Sequence, residues 1–131
     1  MKKLHQILII IAILAVVWIF VRFFIGGSED SWIQDDRGVW IKHGVPYETP
    51  DYVIEQQDAI SCAINLYDVA KVSMEFSSQC LGTCGNFVVD IVHVPRSSED
   101  NLVENQCEAY RNNEVTHFIE LDKDGNIVRI V

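Results

Sequence analysis

Seven residues of catalytic or ligand-binding type lie in the second half of the sequence: Asp90, His93, Arg96, Glu104, Asn105, Cys107 and His117. Histidines and carboxylates supply general acids and bases, and arginine recognises anionic groups. Asp90 and His93 have opposite parity on one predicted strand, so they point to opposite faces unless the strand is bulged. His93 and His117 can meet if their strands are neighbours, which would give a general base or half of a metal site. In the alternative, both histidines are structural and Arg96 pairs with Glu104.

A site built from both histidines, with Arg96 holding an anionic substrate, would suit a small hydrolase or a metal-dependent enzyme. The sequence has no serine in a nucleophile elbow, no H-E-x-x-H motif and no glycine-rich phosphate loop. The run Asp122-x-Asp124-Gly125-Asn126 fails as a calcium loop, because Ile127 occupies the position of the required glycine. These absences favour a domain that is not an enzyme, with no catalytic residue, no metal and no cofactor, over the enzyme built on the two histidines.

The four cysteines are Cys62, Cys80, Cys84 and Cys107, and all lie in the last seventy residues. An even count in a small extracytoplasmic domain predicts two disulfides, for which three pairings are possible. The pairing we favour joins the two predicted helices through Cys62 and Cys107 and closes a small loop between Cys80 and Cys84. Four free thiols, or a zinc site in a cytosolic domain, are the alternatives, although Cys80-x-x-x-Cys84 departs from the usual zinc spacing.

The N-terminal segment predicts a membrane-spanning helix over residues 6–25. Ile7 to Ile25 contains one charged residue, Arg22, and about 20 apolar residues are needed to cross the hydrocarbon layer. The apolar stretch is longer and more aromatic than the core of a cleaved signal peptide, so we expect a signal anchor. Lys2 and Lys3 favour a cytoplasmic N-terminus over residues 1–5, with residues 26–30 as a tether and residues 31–131 outside the cell membrane.

The charge of the chain excludes one class of partner. Asp and Glu number 19 against 10 Lys and Arg, which gives a formal net charge of −9. Nucleic-acid binding depends on cationic side chains that neutralise phosphates, so we expect no nucleic acid as a partner. The expected partners are the lipid bilayer, through residues 6–25, and a protein or envelope component. About a hundred residues follow the span, enough for one domain.

The pattern of residues 31–131 predicts an α+β domain. Thr49-Pro50-Asp51 is a helix start, and helical spacing of apolar residues continues to about Phe76. Alternation predicts a central strand from Asn86 to Pro95, and Asn101 to Asn112 predicts a short helix. Two hairpins, around residues 35–38 and around Asp124-Gly125, supply the remaining strands. We expect an antiparallel sheet of about five strands with two helices, and a loop over residues 77–86.

Part of this domain resembles an uncharacterised family of small proteins from archaea and little-studied bacterial lineages. The resemblance is carried by DIVHVPR from Asp90, DNLVENQC from Asp100, Tyr110-Arg111 and HFIE from His117. It implies that one structural or binding unit comprises Asp90, His93, Arg96, Glu104, Asn105 and Cys107, and it implies no reaction. The family often has proline where this chain has Val103, and further cysteines at Val89 and in the Asp124–Asn126 turn.

Two functions follow from these expectations. The first is a membrane-tethered extracytoplasmic domain that serves as a binding or accessory module for a protein or envelope partner. The second is the small hydrolase or metal-dependent enzyme that uses His93, His117 and Arg96, which requires both histidines to reach one concave site. The absent motifs and the acidic charge favour the first.

Overall fold

The computed structural model describes residues 2–24, 29–72 and 78–131, and it confirms an α+β chain with an apolar N-terminal helix. The elements are α1 (Lys2–Phe24), β1 (Ser31–Gln34), β2 (Trp40–His43), α2 (Asp51–Val72), β3 (Cys80–Cys84), β4 (Phe87–Ile91), α3 (Glu108–Arg111), β5 (His117–Leu121) and β6 (Ile127–Ile130). Two single 3-10 turns, Glu99–Asn101 and Val103–Asn105, precede α3. The chain divides into two units, residues 1–33 with 41–49 and residues 34–40 with 50–131.

The first unit contains α1, which is helical from Lys2 and therefore begins before the predicted span. The stretch Lys3–Phe24 is long and apolar enough to cross a membrane, by length and composition, and its side chains are exposed. Arg22, its cation near the C-terminal end, lies 3.0 Å from the carboxylate of Asp30. The predicted end of the span at Ile25 and residues 26–28 of the tether lie outside the described residues.

The second unit is built on a four-stranded sheet in the order β3-β4-β5-β6. The two outer pairs are antiparallel, but β4 and β5 are parallel. The prediction of a fully antiparallel sheet is therefore wrong for the two central strands. They run parallel because residues 92–116 carry the chain from the end of β4 back to the opposite end of the sheet. Parallel neighbours require such a long connection, whereas a hairpin suffices for antiparallel ones. The described strands number six, since β1 and β2 form a separate two-stranded sheet.

Two layers cover the two faces of this sheet. Helix α2 begins where predicted and buries one row of side chains against one face, including Val53, Ala59, Ala63 and Tyr67. The core on that face adds Phe87, Val89, Ile119, Leu121 and Ile130. Residues 92–116, here named the crossover, cover the other face through Cys107 and Val115, which pack on Val88. The predicted extension of α2 to Phe76 lies outside the described residues.

The crossover does not form the single helix predicted from Asn101 to Asn112. It contains the two 3-10 turns and α3, which has only four residues. Asn105 Nδ2 donates to the carbonyl of Glu99 over 3.0 Å, and Arg96 Nε donates to the side chain of Asn101 over 3.0 Å. Such local bonds from Asn side chains compete with helical hydrogen bonds, which explains the interrupted helix.

The disulfides link Cys62 to Cys84 and Cys80 to Cys107, so the pairing favoured from the sequence is wrong. Cys80 and Cys84 are the two ends of β3, which the sequence had placed in a loop. Four extended steps along the strand separate their Cα atoms by about 13 Å. A disulfide needs less than about 7 Å. A bulge between Cys80 and Gly82 turns the two cysteines to opposite faces, where Cys84 meets α2 and Cys80 meets the crossover.

The turn of the predicted β1-β2 hairpin lies in the second unit and is held by the core. Asp35 N donates to the carbonyl of Val39, and Gly38 N donates to the carbonyl of Asp35, both over 2.9 Å. The buried amide of Gln56 accepts from Trp40 N over 2.8 Å and donates to Gly38 O over 2.9 Å. The Gln56 side chain therefore ties this turn to α2, and Arg37 O also accepts from Ile130 N of β6 over 2.7 Å.

Candidate functional site

A cavity of about 790 Å³ lies at the carboxyl ends of the parallel strands β4 and β5. Its apolar wall is formed by Ile91, Val92, Val94 and Pro95, which continue β4. Ser78 and Gln79, which precede β3, also line it. Its other polar residues come from the crossover and from the turn between β5 and β6: His93, Glu99, Asp100, Asn105, Asp122, Lys123 and Asp124. We call it the β4-β5 cavity. Residues that follow two parallel strands meet at one edge of the sheet, which is why the topology creates a concave site here.

The side chains of His93 and Asp100 form the best-ordered polar pair in this cavity. Asp100 is buried and accepts hydrogen bonds from Ser97 N over 2.8 Å and from His93 N over 3.2 Å. His93 Nδ1 lies 2.9 Å from Asp100 Oδ1, so Nδ1 carries a proton while the carboxylate is ionised. His93 Nε2 has no hydrogen-bond partner within the described parts of the chain and its side chain is 63% exposed.

The contact between His93 and Asp100 changes the pKa of both side chains: the pKa of His93 is raised and that of Asp100 is lowered. The hydrogen bond to Asp100, and then the charge of that carboxylate, raise the pKa of His93. Burial by itself would raise the pKa of Asp100, but the hydrogen bonds from His93 and Ser97 outweigh it, so the pKa of Asp100 is lowered. The pair therefore favours an imidazolium beside a carboxylate, which is a local ion pair rather than a free base.

The β4-β5 cavity is acidic apart from this pair. Glu99, Asp122 and Asp124 add carboxylates, and Lys123 is its only lysine or arginine among the described residues. Lys123 lies 3.2 Å from its neighbour Asp124. The carboxylate of Asp122 accepts from the backbone of Asp124 and from Asn126, which confirms the predicted turn. A cationic ligand would meet a complementary field here.

A second group lies across the face of the sheet that the crossover covers. Strand register places Cys80, Asp90, Glu120 and Arg129 side by side on four successive strands. Glu120 is buried and accepts from Arg96 over 2.7 Å and from Arg129 over 3.1 Å. The expected pairing of Arg96 with Glu104 is thus wrong, because Arg96 reaches the sheet through Glu120 while Glu104 is exposed.

Asp90 is the unusual member of this row. Burial, and then the charge of Glu120, raise the pKa of Asp90 from 3.8 to about 6, although Arg96 partly opposes them. Asp90 Oδ1 lies 3.2 Å from Cys107 Sγ. The two sulfurs and an Asp90 oxygen lie within 4.8 Å of one another, a geometry that suits a metal ion. Both sulfurs belong to the Cys80–Cys107 disulfide, however, and a metal requires thiolates.

The predicted site residues fall into three places. Asp90 and Arg96 join Glu120 in a cavity of about 420 Å³, whereas His93 and Asn105 line the β4-β5 cavity. His117 pairs in register with Phe87 at the start of β4, and their rings lie 5.1 Å apart. His93 is six residues further along the β4 direction, or roughly 20 Å. The two histidines do not share a site, so the two-histidine enzyme has no geometric basis.

Sequence reasoning missed Asp100, Glu120 and Arg129. For Glu120 a signal existed, because a carboxylate in the middle of the apolar strand HFIEL must find a cationic partner when the sheet is covered on both faces. No such signal marked Asp100, whose role depends on the path of the crossover. Glu104 makes no side-chain contact with either group among the described residues.

Comparison with family models, with curated proteins and with solved structures gives no further identification. The resemblance of the segment from Cys80 to the C-terminus therefore stays a prediction. No family model, no curated protein and no solved structure matches this chain.

Proposed function

We propose that this chain is a membrane-tethered extracytoplasmic module that binds a basic peptide segment of a partner protein in the β4-β5 cavity. The observation that carries the proposal is the cavity itself, about 790 Å³ with an apolar wall and an acidic rim. Ligand sites are concave, mostly apolar, and carry a few polar groups that orient the ligand.

The membrane location and orientation rest on two features of the chain. Helix α1 has the length and composition of a membrane span, and Lys2 and Lys3 precede it. Positive charge before a first span favours an N-terminus inside the cell. Two disulfides in the domain that follows support an oxidising compartment, since disulfides are rare in the cytosol.

The chemistry of the ligand follows from charge and exposure. Only seven Lys and Arg follow Arg22, against all 19 Asp and Glu, so the exposed domain attracts cations. Val94 stands in the cavity wall with 66% of its surface exposed, which offers a contact for one large apolar side chain. A peptide with a basic residue next to an apolar one satisfies both features.

The binding test uses the full chain in nanodiscs and fluorescein-labelled hexapeptides that combine lysine or arginine with one leucine. Glu99→Lys should weaken binding about tenfold, because it replaces an attraction at the rim by a repulsion. Glu108→Lys, a change at an exposed residue of α3 outside the cavity, should change binding less than twofold. Equal affinity for a matched acidic peptide, or equal effects of the two substitutions, would contradict the proposal.

The pH dependence supplies an independent check of the same site. Protonated His93 adds a positive charge to the rim and repels a cationic peptide. The pKa of His93 is raised by Asp100, so this charge persists above the usual range of a histidine and disappears as pH rises further. Binding should therefore strengthen as pH rises through that pKa, and His93→Gln should remove the change.

The compartment is tested by thiol labelling in intact cells, in permeabilised cells and after reduction. Cysteines that react only after reduction, and then from outside, support the proposed orientation. Cysteines that react without reduction and only after permeabilisation would place the domain in the cytoplasm and overturn it.

A further inference from the structure

The two disulfides have different surroundings. Each joins a buried sulfur to a partly exposed one: Cys84 to Cys62, and Cys107 to Cys80. Cys84 packs in the apolar core beneath α2. Cys107 Sγ instead contacts a carboxyl group, with Asp90 Oδ1 only 3.2 Å away.

Three acceptor oxygens of the described residues lie close to Cys107 Sγ. They are Asp90 Oδ1 at 3.2 Å, Val89 O at 3.7 Å and Gly82 O at 3.8 Å. A disulfide sulfur has no proton to donate, so an ionised Asp90 gains nothing from this contact in the oxidised protein. A Cys107 thiol in the same place would donate to Asp90. The surroundings of this sulfur therefore fit the reduced state better than the oxidised one.

We propose that the Cys80–Cys107 disulfide is redox-active and oxidises protein dithiols, with Cys80 as the attacked sulfur and Asp90 as the proton carrier for Cys107. The substrate class is a pair of cysteine thiols in an extracytoplasmic protein. This inference is independent of the β4-β5 cavity and of the peptide proposed to bind there.

The exchange proceeds in two balanced steps. A substrate thiolate attacks Cys80 Sγ, the Cys80–Cys107 bond breaks, and the electron pair leaves on Cys107 Sγ, which takes the proton of the Asp90 carboxylic acid. A mixed disulfide now joins the substrate to Cys80. The second substrate thiolate then attacks the substrate sulfur of this mixed disulfide, which releases Cys80 as a thiolate. The substrate has lost two electrons to form a disulfide, and the protein holds two reduced cysteines.

The charged side chains around Asp90 favour its role as a proton carrier. Glu120 faces it from β5, Arg96 faces it from the crossover, and Arg129 on β6 is engaged by Glu120. Burial and Glu120 raise the pKa of Asp90 to about 6, so a useful fraction is protonated near neutral pH. The cavity of about 420 Å³ that Asp90 lines, together with Tyr110, connects the carboxyl group to solvent.

The first test needs no substitution, because one disulfide serves as the control for the other. The oxidised full chain in neutral detergent is treated with limiting dithiothreitol, quenched with acid, alkylated with isotopically distinct maleimides and mapped by mass spectrometry. We expect Cys80–Cys107 to be reduced at least tenfold faster than Cys62–Cys84. Equal rates, or faster reduction of Cys62–Cys84, would overturn the proposal.

The second test isolates the carboxyl group. Asp90→Asn should slow reduction of Cys80–Cys107 about tenfold at pH 6, and Asp58→Asn, an exposed change one turn before Cys62, should leave both disulfides unaffected. The difference between wild type and Asp90→Asn should shrink as pH rises above 6, because Asp90 then loses its proton. An identical ratio at pH 6 and pH 8 would show a structural role only and would refute proton transfer.

The third test identifies the attacked sulfur. Cys107→Ser leaves Cys80 as a thiol, and Cys80→Ser leaves Cys107. We expect the Cys80 thiol to form a mixed disulfide with an aromatic disulfide reagent at least tenfold faster than the Cys107 thiol, since Cys107 is 2% exposed. Faster reaction of Cys107 would overturn the assigned roles.

Discussion

Substitution of Asp90 by asparagine should stabilise the protein at neutral pH, although it removes a buried carboxylate. The pKa of Asp90 rises from 3.8 to about 6 on folding, which corresponds to about 2 to 3 kcal/mol. Because the folded state binds this proton more tightly than the unfolded chain, stability falls as pH rises from about 4 to about 6. This loss of stability is absent below about pH 4 and reaches its full size above about pH 6. Asparagine never ionises, so the Asp90→Asn variant does not suffer the loss.

The assay is urea unfolding of the full chain in neutral detergent, followed by tryptophan fluorescence at several pH values between 4 and 8. The advantage of Asp90→Asn over wild type in unfolding free energy should grow by about 2 to 3 kcal/mol across that range. Titrating groups that do not interact with Asp90 occur in both proteins and cancel in the difference. An advantage independent of pH, or one that shrinks as pH rises, would refute the reasoning.

Glu120→Gln is the matched control on the neighbouring strand, and it should act in the opposite direction. Glu120 is buried and pairs with Arg96 and Arg129, whose side chains are 37% and 49% exposed. Removing its charge leaves two arginines without their partner, but both can turn toward water. We expect a loss of about 1 to 2 kcal/mol at pH 7, smaller than for a fully buried pair.

The other predictions concern the framework of the domain. Removing the Cys62–Cys84 disulfide by a double serine substitution should cost about 3 kcal/mol, given its separation of 22 residues, and urea unfolding under non-reducing conditions measures the loss. Gly38→Ala should lower the melting temperature far more than Gly85→Ala. Both glycines have positive φ, but a Cβ at Gly38 would collide with Ile130 O, whereas nothing lies within 4 Å of one at Gly85. Similar losses for both glycines would contradict the steric argument.

The sequence was sufficient for those elements whose signals are local. The α2 start at Thr49-Pro50-Asp51, the turn at Asp124-Gly125 and the existence of β4 all depend on neighbouring residues. Each appears in the structure, although β4 ends at Ile91 and not at Pro95. Strand β3 was missed because its glycine, Gly82, and the preceding Ser78-Gln79 are typical of loops. Pairing with β4 outweighed that local preference. Whether β4 and β5 run parallel depends on the crossover, which no local pattern specifies.

The candidate site shows the same contrast between local features, which the sequence predicted, and features that depend on distant parts of the chain, which it did not. Asp90 and His93 line different cavities, as their opposite parity predicted, although β4 ends at Ile91 and His93 lies beyond the strand. The sequence could not predict the partners of these two residues. Asp100 is brought to His93 by the path of the crossover, and Glu120 is brought to Asp90 by the register of β4 and β5. The disulfide pairing failed for a related reason: the sequence predicted a loop around Cys80 and Cys84, whereas these cysteines end the strand β3, whose bulge turns them to opposite faces of the sheet.

That bulge also determines how the domain would carry mechanical load. A pull between the two ends of the chain passes from Cys62 to Cys84, runs backwards along β3 to Cys80, and continues from Cys107 to the C-terminus. Residues 63–79 and 85–106 lie outside this covalent path, so the backbone of β4 and of most of the crossover stays slack when the unfolded, oxidised chain is fully extended. Reduction of Cys80–Cys107 alone would bring residues 85–106 into the path and lengthen the stretched chain, so the same bond would govern both redox state and extensibility.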